Sequence, residues 1–231
     1  MSTRLGHGLS LLFALGILAV LVYSVFGPMP MVACSALAKG YQPILAFELA
    51  RSASDVQAIF GHCVSLCRET LEAAFASVNF SDNFIFIPIY SLFLVFFFVG
   101  ARARDPLLAM LAILIVILAA LGDWVENHCL AEIAASPDSP PAQAMMLLHY
   151  ATATKWIALG IAGFIGGLIV GQAGGLANNI AFVLCAAGLI LTGLALSYSP
   201  VFGPHISNAI VLSWLVFLIV DIREFFRGAA R

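Results

Sequence analysis

Three ionisable residues lie in stretches that are otherwise apolar enough to cross a membrane. Asp123 and Glu126 stand near the end of one apolar run, and Lys155 stands inside the next. A charged group at membrane depth costs several kcal/mol unless it is paired, hydrated or neutralised, so such residues mark a functional site by default. The sequence therefore predicts a polar centre inside a membrane domain.

The two acids share one helical face with Asn127. Their spacing of i, i+3 and i+4 places Asp123, Glu126 and Asn127 side by side. Carboxylates near a helix C-terminus meet the negative end of the macrodipole, so they need a proton, water or a cation. Lys155 offers the cation, because a short connection makes its helix the antiparallel neighbour. Thr152, about one turn from Lys155, is expected to join the hydrogen-bond network.

Two interpretations of this centre remain open. It is either a structural ion pair that fixes two helices, or a site that handles a proton or substrate. Asp82 follows Ser81 and is typical of a helix-start cap, although it also fits membership of the same outward cluster. Tyr90, two turns inward, shares the face of Asp82.

Composition defines the class of fold. Hydrophobic residues make up 62 % of the chain and charged residues 10 %, and the mean hydropathy is +1.06. A soluble domain needs far more charge, and nucleic acid is excluded as a partner. We expect one all-α, polytopic integral-membrane domain over 1–231: a six-transmembrane helix bundle with a small helical extracytoplasmic cap from 28–82. The predicted spans are 8–27, 84–101, 107–127, 149–171, 177–198 and 207–222.

The basic residues predict the orientation in the lipid bilayer. If the six spans alternate, one side carries Arg4, Arg102, Arg104, Arg223, Arg227 and Arg231, and the other carries Lys39, Arg51 and Arg68. Short loops rich in Lys and Arg stay cytoplasmic, so we expect both termini in the cytoplasm of a bacterial cell and the domain in its inner membrane. We expect the first span to be retained rather than cleaved as a signal.

Four cysteines map to the outer side. Cys63 and Cys67 are four residues apart on one expected helix, so each is expected to pair elsewhere, with Cys34 and Cys129. Free buried thiols are the alternative.

Histidines on the same side suggest a copper or zinc site only weakly. The candidates are His62, His128 and His149 with Cys129, and their spacing matches no standard zinc arrangement. No cofactor is predicted.

Gly163, Gly167 and Gly171 form a ridge of small residues along the fourth span. Such a ridge lets another helix approach closely. It predicts packing within the bundle, or alternatively a contact with a second copy or a membrane-complex partner.

Three functions from different classes follow from these residues. The first is a membrane protein whose outward polar site binds or translocates a small solute, ion or proton. The second is a structural or accessory subunit of a larger membrane complex. The third is a lipid-modifying intramembrane enzyme, or an extracytoplasmic metal-binding protein, for which no nucleophile or complete ligand set is evident.

Overall fold

Helices dominate the computed structural model, which describes residues 2–26, 33–34, 37, 41–61 and 65–227 and shows no strand within them. Five helical stretches are long and apolar enough to cross a membrane, so the protein is a helical integral membrane protein. These stretches are Thr3–Val20, Leu66–Ala101, Pro106–Ala134, Ala142–Gly171 and Leu176–Ser197.

From α2 onward the helices follow one another with short connections. In chain order they are α1 (Thr3–Phe26), α2 (Pro43–Glu48), α3 (Ala53–Phe60), α4 (Leu66–Ser81), α5 (Ile87–Ala101), α6 (Pro106–Ala134), α7 (Ala142–Gly171), α8 (Leu176–Ser197), α9 (Ser199–Phe202) and α10 (Ile206–Arg227). The sixth predicted span, 207–222, lies within α10, which packs beside α1, α7 and α8.

The second span is longer than predicted. A π-helical turn, Asp82–Phe86, joins α4 to α5, so the chain is helical from Leu66 to Ala101 without a break. The expected helix start at Asp82 is therefore wrong. Pro88 stands just after this turn and has no N–H to donate, and the wider turn takes up the irregularity that proline imposes.

The short helices α2 and α3 and the helix α4 fall within the segment 28–82 that the sequence predicted to form a helical cap, and their aromatic side chains pack on one end of the bundle. Phe47 of α2, Phe60 of α3 and Phe75 of α4 pack together with ring centroids 4.9–5.4 Å apart. The same buried cluster includes Leu130 of α6 and Leu148 of α7. This cap, formed by α2, α3 and α4, is therefore a lid packed on the C-terminal end of α6 and the N-terminal end of α7, both of which are longer than their predicted spans.

One disulfide fixes the lid. Cys34 is bonded to Cys67 at the start of α4. Cys129 is a free, buried thiol in the structure, so the expected disulfide at Cys129 is absent. Its side chain lies inside the apolar cluster between lid and bundle, where a thiol packs as a small hydrophobic group. Cys63 lies outside the described residues.

The ridge glycines of α7 face neighbours within the chain. A Cβ at Gly163 would lie 2.9 Å from Ser213 Oγ of α10, and one at Gly167 would lie 2.7 Å from Cys185 Cβ of α8. A Cβ at Gly171 would lie 3.4 Å from Phe182 Cβ of α8. The ridge thus serves packing inside the bundle, and association with a second copy or another subunit stays a prediction.

We expect reduction of the Cys34–Cys67 bond to loosen the lid selectively. The bond closes a loop with a sequence separation of 33, so its loss is worth about 3–4 kcal/mol on the loop-entropy model. Non-reducing peptide mapping should recover one peptide pair joined through these two cysteines, and reduction should speed proteolysis within 41–61. Cys129 is the internal control, because it should react with iodoacetamide only after denaturation. Rapid alkylation of Cys129 in the folded protein would contradict its position beneath the lid.

Candidate functional site

Helices α6 and α7 approach each other closely beside the predicted polar centre. A Cβ at Gly122 would lie 3.1 Å from Lys155 N and 3.3 Å from Ala151 O, which is tighter than ordinary packing. Since Gly122 precedes Asp123, the absence of a side chain there lets the two backbones meet and brings the acid of α6 next to the lysine of α7.

The Lys155 ammonium lies among three carboxylates. It donates a short hydrogen bond to Glu126 Oε1, and it lies 3.3 Å from Asp123 Oδ1 and 3.2 Å from Glu48 Oε2. Each of the four residues is at most 9 % exposed. We call Glu48, Asp123, Glu126 and Lys155 the carboxylate–lysine cluster.

The charges in this cluster do not balance. Three carboxylates surround one ammonium, and within the described residues no second cation forms an ion pair with any of the three acids. Glu126 Oε2 is buried and has no hydrogen-bond partner in the described part of the chain. An uncompensated buried charge is strongly unfavourable, so an arrangement of this kind favours the binding of a proton or of another cation.

Glu48 was not among the residues predicted for the site. It ends α2 in the lid, where it accepts a hydrogen bond from Trp156 Nε1 at 3.1 Å. Thr152 Oγ1 donates to the Glu48 carbonyl at 3.1 Å, so Thr152 anchors the lid and does not bind Lys155 directly. A single acid inside the apolar stretch from Pro43 to Ala50 was the signal that the sequence offered.

The lid acid is held in an environment that favours its neutral form. Burial raises the pKa of the Glu48 carboxyl above its ordinary value, while the ammonium of Lys155 acts in the opposite direction. The same ammonium lies 4.8 Å from the ring centroid of Trp156, a distance at which the aromatic face attracts it. The charge of Glu48 and the charge of Lys155 therefore influence each other directly across this contact.

The π-helical turn supplies a second polar layer. Asn127 Nδ2 donates to Asp82 Oδ2 at 2.7 Å, and Asn79 Nδ2 donates to the Asn127 carbonyl at 2.8 Å. Tyr90 lies on α5, two turns along the helix from Asp82, and donates its hydroxyl to Asp123 Oδ2 at 2.9 Å. The structure therefore brings Asp82 and Tyr90 to the neighbourhood of Asp123 and Asn127, as members of a network and not as a separate helix cap.

A cavity adjoins this network beneath the lid. Its volume is about 460 Å³, and Glu48, Asp82 and Asn127 contribute polar groups to its wall. The rest of the wall is mainly apolar and includes Phe75 and Leu130. The cavity is large enough for a small organic molecule next to the carboxylate–lysine cluster.

The weak metal candidates do not converge. His128 is exposed and lies 3.3 Å from Glu132, and its neighbour Cys129 is buried on another face of α6. His149 lies exposed on α7, and His62 lies outside the described residues. Within the described ranges, no group of three His, Cys, Asp or Glu side chains is arranged to hold a metal ion.

A further polar cluster at the other end of the bundle was missed by sequence reasoning. His7 Nδ1 of α1 lies 2.5 Å from Asp221 Oδ1 of α10, and Ser10 Oγ lies 2.6 Å from Asp221 Oδ2. All three side chains are buried. Because the partners are more than 200 positions apart, their pairing had no local signal in the sequence.

Fold and site together define the class of protein: a helical integral membrane protein with a lid over an acidic cluster that holds one lysine. No protein-family model, curated protein sequence or solved structure matches the chain.

Proposed function

We propose that the protein is a proton-coupled carrier of a small solute, with the carboxylate–lysine cluster as its proton site and the cavity under the lid as its solute site. The observation that carries this proposal is the charge imbalance at the cluster, where three buried carboxylates share one ammonium. Lys155 already occupies the centre that a metal cation would take, so protons are the natural compensating charges.

The position of the cluster supports coupling. Glu48 belongs to both the cluster and the wall of the cavity, and Asn127 lies in that wall next to Glu126. A change in protonation alters the attraction between Glu48 and Lys155, which is one of the contacts that hold the lid against α7. Proton binding and access to the cavity are thereby linked through one lid residue.

The bundle is proposed to have six spans, with both termini in the cytoplasm and the lid outside a bacterial inner membrane. In support, α10 has 22 residues, about 33 Å of helix, which is enough to span. At one end of the bundle Arg104 pairs with Glu224 at 2.8 Å, and Arg4 lies over the Phe225 ring. Arginine clustering at the termini favours a cytoplasmic position for that end.

The first test is direct detection of the proton. We expect infrared difference spectra of the wild-type protein, stepped between acidic and alkaline buffer, to show a protonated carboxyl group that Glu126→Gln removes. Glu132→Gln is the matched control, since Glu132 lies on the same helix but its side chain is 50 % exposed. No protonated buried carboxyl in the wild type would overturn the proton site.

The second test measures the movement of protons across a membrane. In proteoliposomes containing a pH-sensitive dye, we expect Glu126→Gln to slow proton entry by about tenfold or more, because a glutamine amide cannot take up and release the proton that the glutamate carboxyl would carry. Glu132→Gln should transport like the wild type. A folded Glu126→Gln protein with an unchanged proton flux would leave the cluster an architectural element.

A further inference from the structure

A second cavity lies at the end of the bundle where α1 begins and α10 ends. Its volume is about 270 Å³, and it is enclosed by α1, the inner end of α5, α7 and α10. Its polar wall is built from Arg4, His7, Arg104, Glu224 and Arg227. It is separate from the cavity under the lid and shares no wall residue with it.

Positive charge exceeds negative charge in this wall. Glu224 Oε1 is shared by three guanidinium groups: Arg104 at 2.8 Å, Arg223 at 3.2 Å and Arg227 at 3.5 Å. Arg4, which also lines the cavity, has no carboxylate partner within the described residues and lies over the ring of Phe225. Arg223 does not line the cavity, but the wall still holds the guanidinium groups of Arg4, Arg104 and Arg227 against the single carboxylate of Glu224, so the cavity attracts an anion.

The start of α1 adds to the same field. Ser2 Oγ accepts the Leu5 N–H at 3.3 Å, and Thr3, the first residue of α1, lines the cavity. The first N–H groups of a helix have no acceptor inside the helix and carry the positive end of its dipole. The start of α1 and the arginines of the wall therefore both favour an anionic ligand.

His7 closes the inner side of the cavity in a fixed orientation. Its ring lies against Gly100, where a Cβ would be 2.7–2.8 Å from three ring atoms, so a side chain there would displace it. Nδ1 is engaged by Asp221 at 2.5 Å, and Ser10 holds the other oxygen of that carboxylate. The remaining ring nitrogen, Nε2, is the one left for a ligand in the cavity.

We infer that this cavity binds the phosphate headgroup of an anionic phospholipid from the leaflet on the side of the termini. Phosphate suits the site because guanidinium groups and a helix start are its usual protein partners. A lipid is favoured over free phosphate because large apolar side chains are exposed on the helices next to the cavity: Leu5 is 51 % exposed, Ile222 44 % and Phe226 65 %. They offer the acyl chains a surface beside the headgroup.

Native mass spectrometry of the detergent-solubilised full chain tests this inference. With added phosphatidylglycerol, we expect one lipid to remain bound at collision energies that strip the others. Arg4→Gln should weaken this retention by about tenfold, the scale of one lost charge-assisted contact. Arg104→Ala should weaken it further, although it also removes the ion pair with Glu224.

Arg102→Ala is the matched control, because Arg102 is exposed two residues from Arg104 but does not line the cavity. Retention that survives Arg102→Ala and falls with Arg4→Gln supports the site. Equal retention of phosphatidylcholine would overturn it, because this zwitterionic lipid carries the same phosphate and the cavity would then show no preference for an anionic headgroup. Equal loss in all three variants would also overturn it, because the arginines of the wall would then have no specific role. Displacement of the lipid by inorganic phosphate at matched concentration would overturn the lipid as occupant.

Discussion

Lys155→Met is expected to destabilise the fold by about 3–5 kcal/mol, the usual cost of removing one partner from a buried ion pair. The methionine fills a similar volume, so the loss comes from charge and not from a void. Glu48, Asp123 and Glu126 would then face one another without their shared ammonium. The lid would also lose its ionic contact with α7.

The size of this effect should depend on pH in a defined direction. Burial raises the pKa of the Glu48 carboxyl, and loss of the Lys155 ammonium removes the group that opposes this shift, so Lys155→Met should be least stable in alkaline buffer, where Glu48 is charged. In acidic buffer protonation of Glu48 removes one uncompensated charge, and part of the lost stability should return. Thermal unfolding in detergent, followed by static light scattering or by the reactivity of Cys129, measures both values.

Glu126→Gln is the matched control for Lys155→Met. It removes one of three carboxylates instead of the single cation, so it lowers the charge imbalance and should leave stability unchanged or raise it slightly. We expect Lys155→Met to lower stability and Glu126→Gln to leave it unchanged or raise it only if the carboxylate–lysine cluster carries an excess of negative charge. If both variants unfold the protein to the same extent, Glu126 is a structural partner of Lys155 and the excess is compensated by a group outside the described residues.

Gly6→Val is expected to be the most damaging single substitution in α1, at about 3 kcal/mol, the upper end of the range for overpacking. A Cβ at Gly6 would lie 2.7 Å from Gly100 N and 2.9 Å from Gly100 Cα. These are backbone atoms of α5, so no side chain can rotate away, and α1 must move from α5.

That displacement should also disturb the polar contacts that α1 makes with α10. His7 follows Gly6, and its contact with Asp221 depends on the same close crossing of α1 and α5. We therefore expect Gly6→Val to lower the melting temperature and, through His7, to weaken the retention of an anionic lipid. Both are measured on the same purified protein.

Gly193→Ala provides the control for Gly6→Val. It lies within α8, and a Cβ there meets nothing within 4 Å. Since alanine is about 1 kcal/mol better than glycine inside a helix, this variant should be as stable as the wild type or more stable. Destabilisation at Gly193 comparable to that at Gly6 would show that helix packing is not what distinguishes the two sites.

The membrane class and the bundle part of the site could be predicted because their signals are local. Apolar runs of sufficient length indicated the spanning helices, and the spacing of Asp123, Glu126 and Asn127 placed them on one face. The short connection between α6 and α7 then put Lys155 opposite them. None of these inferences required knowing where a distant segment of the chain lies.

Helix ends were less predictable for a physical reason. Ser81, Asp82 and Asn83 have the composition of a helix cap, yet the π-helical turn carries the chain through them into α5. A neighbouring helix supplies the hydrogen bonds instead, because Asn127 of α6 donates to the side chains of Asp82 and Asn83. Tertiary hydrogen bonds replaced the local caps that the sequence suggested.

The sequence by itself determined a set of membrane helices and the position of Asp123, Glu126 and Lys155 within them. It could do so because hydrophobicity and helical periodicity depend on neighbouring residues. The tertiary structure alone decided that Glu48 of the lid joins Lys155, that Cys34 takes Cys67 while Cys129 stays reduced, and that His7 meets Asp221. Each of these contacts joins residues far apart in the chain. Their energies depend on how whole helices pack, which no local spacing encodes.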